Sequence, residues 1–153
     1  MTYHPPTVIF DIDGTLANCD HRIHWVRSNP KNWPAFNRAM KLDTVHENIV
    51  WMLHTFHAAG CTILIASGRS EDDRKVTETW LQDVANVTGL YSNLYMRASN
   101  DYRPDDIVKS ELLDRMREDG YDPTMVVDDR PSVLRMWRSC GLATLAVGPQ
   151  EEF

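Results

Sequence analysis

Asp11 and Asp13 stand two residues apart in the run Asp11-Ile12-Asp13-Gly14-Thr15-Leu16. One carboxylate of such a pair can act as a nucleophile on phosphorus, forming an aspartyl-phosphate intermediate. The other can reach the leaving oxygen as general acid and later take a proton from the attacking water. Gly14 lets the chain turn sharply away. Farther along come Ser67-Gly68-Arg69, then Lys109, then Asp128-Asp129. Ser67 and the amide after it could hold phosphoryl oxygens, while Lys109 and Arg69 neutralise charge that develops during transfer. Four carboxylates on one rim would repel one another and raise each other's pKa unless a cation intervenes. A hard, oxygen-ligated ion such as Mg²⁺ resolves that repulsion and leaves coordination positions for water and a phosphate oxygen.

These residues fall where strands stop. Thr7-Val8-Ile9-Phe10 is a short β-branched and aromatic run that ends at Asp11. Thr62-Ile63-Leu64-Ile65-Ala66 stops at Ser67-Gly68, and Thr124-Met125-Val126-Val127 stops at Asp128-Asp129. Leu94-Tyr95-Met96 and 143–147 are weaker strand patterns. The clear runs are continuously apolar rather than alternating, which predicts a parallel sheet covered on both faces. In open α/β sheets the ligand sits at the carboxyl ends of the strands, where the acids, the serine and the cations would converge.

Helical patterns lie between the strands. Thr44-x-x-Glu47 reads as a capping box before Val45, Ile49, Leu53 and Phe56, with Gly60 as the stop. Residues 71–86 carry Val76, Trp80 and Val84 at i+4 spacing. Pro104 is placed to open a helix with Val108, Leu112 and Met116, and Pro131 another with Leu134, Trp137 and Cys140. Strand and helix alternate, so the predicted class is α/β: a three-layer, Rossmann-like parallel sheet with right-handed crossovers, in a single domain over 1–153. Residues 18–42 fit neither pattern and read as a small helical cap inserted after the first strand.

The chain has 153 residues, 42% hydrophobic and 25% charged, which suits one soluble domain and argues against disorder or fibre. A formal charge of −6 excludes an all-over basic coat for nucleic acid. The distribution is more telling. Residues 18–42 hold Arg22, Arg27, Lys31, Arg38 and Lys41 against Asp20 alone, a local charge of +4, so the remainder carries −10. No apolar run approaches the ~18 residues of a membrane span, and the N-terminus lacks a signal-peptide pattern. Cys19, Cys61 and Cys140 are odd in number and far apart, which points to a reducing cytoplasm.

The order of the motifs resembles the haloacid dehalogenase (HAD) superfamily of phosphotransferases: D-I-D-G-T-L at 11–16, Ser67, Lys109, and V-V-D-D at 126–129. Within it, the chain is most similar to the 3′-phosphatase domain of phage polynucleotide kinase-phosphatases. The shared stretches are V-I-F-D-I-D-G-T-L-A at 8–17, S-G-R at 67–69, D-Y-R-P-D-D-I-V-K-S-E at 101–111, D-D-R at 128–130, M-W-R at 136–138 and the closing Phe153. The resemblance implies the HAD fold, with Asp11 as nucleophile and Asp13 as acid/base. It implies Ser67, Gly68, Arg69, Lys109 and Arg22 around the phosphoryl group, with Asp105 orienting Lys109. It also implies Mg²⁺ held by Asp11, Asp128, Asp129 and the main-chain carbonyl of Asp13. The substrate implied is a phosphorylated nucleic-acid end, with a separate kinase or ligase as possible partner. No glycine is followed by lysine, so the phosphate loop of the fused kinase is not expected.

Other readings compete. The same chemistry suits a small-molecule phosphatase, for instance a 5′-nucleotidase acting on deoxynucleoside monophosphates. A receiver-type phospho-acceptor domain also combines acids, a hydroxyl and a lysine, but it lacks the acid two residues on that Asp13 supplies. His21-x-x-His24 and His54-x-x-His57 lack partners at zinc-site spacing. Lys109 and Asp105 at i+4 can form a helix ion pair. Trp25, Trp33 and Phe36 read either as the core of the insertion or as a surface on which bases stack beside cations.

Overall fold

The computed structural model describes residues 2–152, so Phe153 lies outside them. β1 (Thr7–Phe10) leads into a two-residue strand, β2 (Ala17–Asn18), then two short helices, α1 (His24–Arg27) and α2 (Trp33–Arg38), and a second two-residue strand, β3 (Thr44–Val45). Helix and strand then alternate: α3 (Glu47–Ala58), β4 (Thr62–Ser70), α4 (Arg74–Asp83), β5 (Asn93–Arg97), α5 (Asp105–Glu118), β6 (Pro123–Asp128), α6 (Pro131–Ser139) and β7 (Ala143–Ala146). Five strands make one parallel sheet in the order β5-β4-β1-β6-β7. β1 is central because the chain builds outward on one side through β4 and β5, then crosses to the other through β6 and β7. The carboxyl ends of β4, β1 and β6 are therefore neighbours.

Successive side chains of a strand point to opposite faces, and both faces are covered. Val8, Phe10, Ile63 and Ile65 pack with Leu53 of α3 and with Trp80 and Leu81 of α4. Ile9, Leu64, Ala66 and Val126 pack with Val108, Leu112 and Met116 of α5 and with Val133 and Trp137 of α6. Burial on both faces explains the continuous apolar runs, and the three-layer α/β reading holds. No helix among the described residues is long and apolar enough to cross a membrane.

Several local expectations change. β4 runs nine residues rather than five, carrying Ser67-Gly68-Arg69 inside the strand. Its register to β5 passes from Ser67↔Met96 directly to Ser70↔Arg97, so Gly68 and Arg69 form a bulge that leaves the ladder. Thr44 is not a helix cap: Thr44–Val45 pairs antiparallel with Ala17–Asn18, and His46 takes the N-cap of α3. Residues 71–73 form a separate 3₁₀ turn before α4, with the Ser70 side chain accepting from the Asp72 amide. The buried stripe of α4 is accordingly Thr77, Trp80 and Leu81, while Val84 is exposed. Pro104 is the N-cap of α5 rather than its first residue. In the insertion Phe36 is buried but Trp25 and Trp33 are 38% and 42% exposed, so the aromatics do not form one core.

The insertion is anchored by charge rather than by apolar packing alone. Arg22 is fully buried, and its guanidinium donates from Nε and Nη2 to both oxygens of Asp43, at 2.7 and 2.6 Å. Asp43 follows the 3₁₀ turn Met40–Leu42 that ends the insertion, and its carbonyl accepts from Trp80 Nε1 on α4 at 2.8 Å. Removing one partner of a buried pair strands the other charge in a medium that cannot solvate it. Asp43→Ala should therefore cost about 3–5 kcal/mol, read as a lowered midpoint in chemical denaturation. Asp43→Asn, which keeps the acceptor oxygen, should cost less.

Candidate active site

Three strand ends and one helix build the site. Asp11 directly follows β1, and its amide donates to the Val127 carbonyl of β6 at 3.0 Å, continuing the sheet by one rung. Asp128 ends β6, and Lys109 projects from the first turns of α5. The Lys109 ammonium donates to Asp11 Oδ1 at 2.7 Å and to Asp128 Oδ2 at 3.0 Å, with all three side chains buried. The other oxygen of Asp11 accepts from the Thr15 hydroxyl at 2.9 Å. Asp128 is fixed twice more: its Oδ1 accepts from the Asp129 amide, and its Oδ2 from Trp137 Nε1 at 3.1 Å. Trp137 is thus more than packing, because its indole nitrogen reaches the site from α6.

Asp129 completes an acidic cluster. One oxygen each from Asp11, Asp128 and Asp129 lies within 4.8 Å of the others. Burial, then the Asp128 charge, pushes the Asp11 carboxyl well above its ordinary range, although Lys109 opposes the shift. The same two causes in the same order push Asp129 up to about 6. The Lys109 ammonium is held above its usual range because Asp11 and Asp128 outweigh the cost of its burial. One lysine among three carboxylates leaves a deficit of positive charge, and hard oxygens in this number suit a divalent cation. Gly14, at φ +85°, is required: a Cβ there would overlap the Asp129 carboxylate.

Asp13 lies outside that cluster. Its side chain accepts from Arg69 Nε at 3.1 Å, from Arg69 Nη2 at 2.6 Å and from Arg22 Nη2 at 2.6 Å. Burial alone would raise its pKa, but the two guanidiniums overcome it and hold Asp13 well below the usual carboxylate range. Its carboxylate is therefore not among the oxygens that lie close enough together to share an ion. Arg69 also donates to Thr77 Oγ1 at 3.2 Å and to Asp43 Oδ2 at 3.3 Å. Arg22 and Arg69 with Asp13 and Asp43 thus form a charge-balanced network beside the acidic cluster.

The remaining predicted residues sit close by. Ser67 is fully buried, and its Oγ accepts from the Arg69 amide at 3.1 Å across the β4 bulge. A Cβ at Gly68 would lie 2.7 Å from Asp105 Oδ1, so the missing side chain lets α5 close on the bulge. Asp105 pairs with Arg97 and, at 2.8 Å, with Arg130, and reaches Lys109 only through its charge. Arg97 in turn donates to the Gly68 carbonyl at 2.7 Å. Sequence reasoning overlooked Thr15, Asp43, Thr77 and Arg97. Asp43, an acid immediately after a +4 segment, was the one with a readable signal. His54 and His57 are exposed on α3.

Asp11, Asp13, Arg69, Lys109, Asp128 and Asp129 all line one groove of about 1000 Å³. Its walls are α2 of the insertion and the loop after β5, including Trp33, Arg38, Tyr102 and Arg103.

Known proteins resemble this chain in sequence and fold. Over 141 residues the chain is 26% identical to a protein named as a bifunctional polynucleotide kinase/RNA ligase of Autographa californica nuclear polyhedrosis virus, covering 92% of this chain and 19% of that protein. It superposes with a TM-score of 0.77 on a chain of the Pnkp1/Rnl/Hen1 complex, at 30% identity, covering 96% of this chain and 47% of that one. The chain therefore spans less than half of each of these relatives. A haloacid dehalogenase-like hydrolase, SP0104 from Streptococcus pneumoniae, shares the fold at a TM-score of 0.65 and 13% identity over 92% of this chain and 83% of that one. Residues 5–152 match the family model described as the polynucleotide kinase PNKP phosphatase domain. An acid cluster with a buried lysine at the strand ends of a HAD fold, matched almost end to end, makes this chain a phosphatase that belongs to the PNKP phosphatase domain family.

Proposed function

We propose that the chain removes phosphate from the 3′ ends of nucleic acids, in cytoplasmic repair or end healing. The observation that carries this reading is the buried Lys109 bridging Asp11 and Asp128 at the base of a groove whose insertion wall is basic. Asp11 is the nucleophile: its oxygen attacks phosphorus, and the bond to the nucleoside 3′ oxygen breaks. Asp13 gives that oxygen its proton, then takes one from the water that attacks phosphorus and releases Asp11 with inorganic phosphate. Asp13 can carry a proton only when the arginines loosen, and a phosphoryl dianion entering beside Arg69 competes for that guanidinium. Lys109 and Arg69 neutralise the phosphoryl oxygens, and the amides of the β4 bulge lie at the same rim.

Asp11, Asp128, Asp129 and the Asp13 carbonyl would hold Mg²⁺, which when bound supplies charge neutralisation to the acids and the phosphoryl group. The groove volume is at the upper end of small-molecule pockets, which favours a polymer end over an enclosed mononucleotide. A 3′-hydroxyl end is what a ligase consumes, so a separate or linked kinase or ligase is the partner that fits. The three unpaired cysteines suit a reducing compartment.

A substrate panel tests the reading: kcat/KM should be highest on a 3′-phosphorylated oligonucleotide, against 3′- and 5′-mononucleotides and a sugar phosphate. Equal or better turnover of 5′-mononucleotides would replace it with the nucleotidase reading. Asp11→Asn should abolish hydrolysis in a folded protein, and excess chelator should do so reversibly. Gly14→Ala should weaken Mg²⁺ binding by displacing Asp129, seen as a higher Mg²⁺ requirement for activity.

A further inference from the structure

Trp33 is held in an unusual position for a half-exposed aromatic. It opens α2, whose start is fixed by the Asn32 side chain accepting from the Ala35 amide at 3.1 Å. The helix buries Ala35 and Phe36 and exposes Trp33, Pro34, Asn37 and Arg38, all four of which line the groove. Trp33 is braced edge-on by Phe36, with ring centroids 5.7 Å apart at 90°. Phe36 is itself fixed from below by the Arg22 guanidinium, 4.1 Å from its ring centre. Arg22 is bound to Asp13. A contiguous stack therefore runs from Asp13 through Arg22 and Phe36 to Trp33, which sets an indole at a fixed place relative to the reacting end of the groove.

The charges around Trp33 say what belongs against it. Lys31 Nζ lies 5.7 Å from the Trp33 ring centre, and Lys31 and Arg38 both line the groove. Among the described residues neither is paired with a carboxylate, whereas Arg22, Arg27 and Arg69 all are. Free cations beside an exposed, braced aromatic are the pairing that single-stranded nucleic acid requires: backbone phosphates for the cations and a base for the ring. Tyr102, on the far wall, is 88% exposed and contacts Asn100 only at 3.5 Å. It would lose more freedom on binding, so Trp33 is the better platform.

Resting on the 3′-end reading, we propose that Trp33 is a positioning and specificity residue that stacks on the base of the terminal nucleotide of a single strand, with Lys31 and Arg38 taking the phosphates upstream. The phosphoryl group is thereby set over Asp11 by the base next to it, so the enzyme reads a nucleic-acid end rather than any phosphate ester.

A two-by-two cycle tests this. Wild type and Trp33→Ala are compared by kcat/KM on a single-stranded 3′-phosphorylated oligonucleotide and on the same strand with a tetrahydrofuran abasic residue at the terminal position. Removing the base should cost the wild type roughly tenfold or more, mainly in KM, and should cost Trp33→Ala less than about twofold. Trp33→Phe, which keeps a ring, should restore most of the base dependence and guards against a folding defect. An equal cost of base removal in wild type and Trp33→Ala, or none in the wild type, overturns the stacking role while leaving the 3′-end reading intact. A wild type that hydrolyses an aryl phosphate but neither oligonucleotide overturns both.

Discussion

A lysine ammonium buried between two carboxylates is the constraint on which the site depends. Lys109 can be charged at that depth only because Asp11 and Asp128 flank it, and they tolerate burial only because Lys109 is there. The three side chains come from β1, β6 and α5, so the ion pair exists only when the strands lie side by side and α5 packs across them. The sheet order with β1 at its centre is the requirement this sets. Trp137 and Thr15 then remove the remaining freedom of the carboxylates by giving each a fixed donor.

The second cluster is built on the opposite balance. Arg22 and Arg69 against Asp13 and Asp43 give as many positive as negative groups, and no net charge is left for an ion to satisfy. The acidic cluster and the balanced one are neighbours, yet Asp11 and Asp129 are pushed up while Asp13 is pulled down. Two acids separated by one residue thus occupy contrasting electrostatic environments. The chain leaves β1 after Phe10 and turns through Gly14, breaking the strand's alternation and sending their side chains to different neighbours.

Much of the sheet was legible because strands buried on both faces must be continuously apolar, and each clear run ended at an acid or a serine. The bulge in β4 was not legible, since Ser67-Gly68-Arg69 reads equally well as a loop; only pairing with β5 reveals that the strand continues. Thr44 illustrates a different limit. Its capping-box spacing was real, but pairing with Asn18 drew it into a ribbon instead. Site residues on strand ends were found from local pattern, whereas Asp43, Thr77 and Arg97 act through partners 8 to 37 positions away. Such partners leave no periodic trace in a single sequence. The net charge of −6 likewise concealed a division between an acidic rim and a basic insertion.

The carboxylate of Asp13 occupies two guanidiniums that would otherwise attract any passing anion. It is a tethered competitor, present at the high local concentration that covalent attachment confers. A carboxylate metabolite or a chloride ion offers Arg69 nothing that Asp13 does not already provide, whereas a phosphoryl dianion brings a second charge and further oxygens. Under the proposed function, such a site would discriminate among anions before any substrate base is read. The same competitor would then favour turnover, because Asp13 reclaiming Arg69 would help expel the inorganic phosphate product.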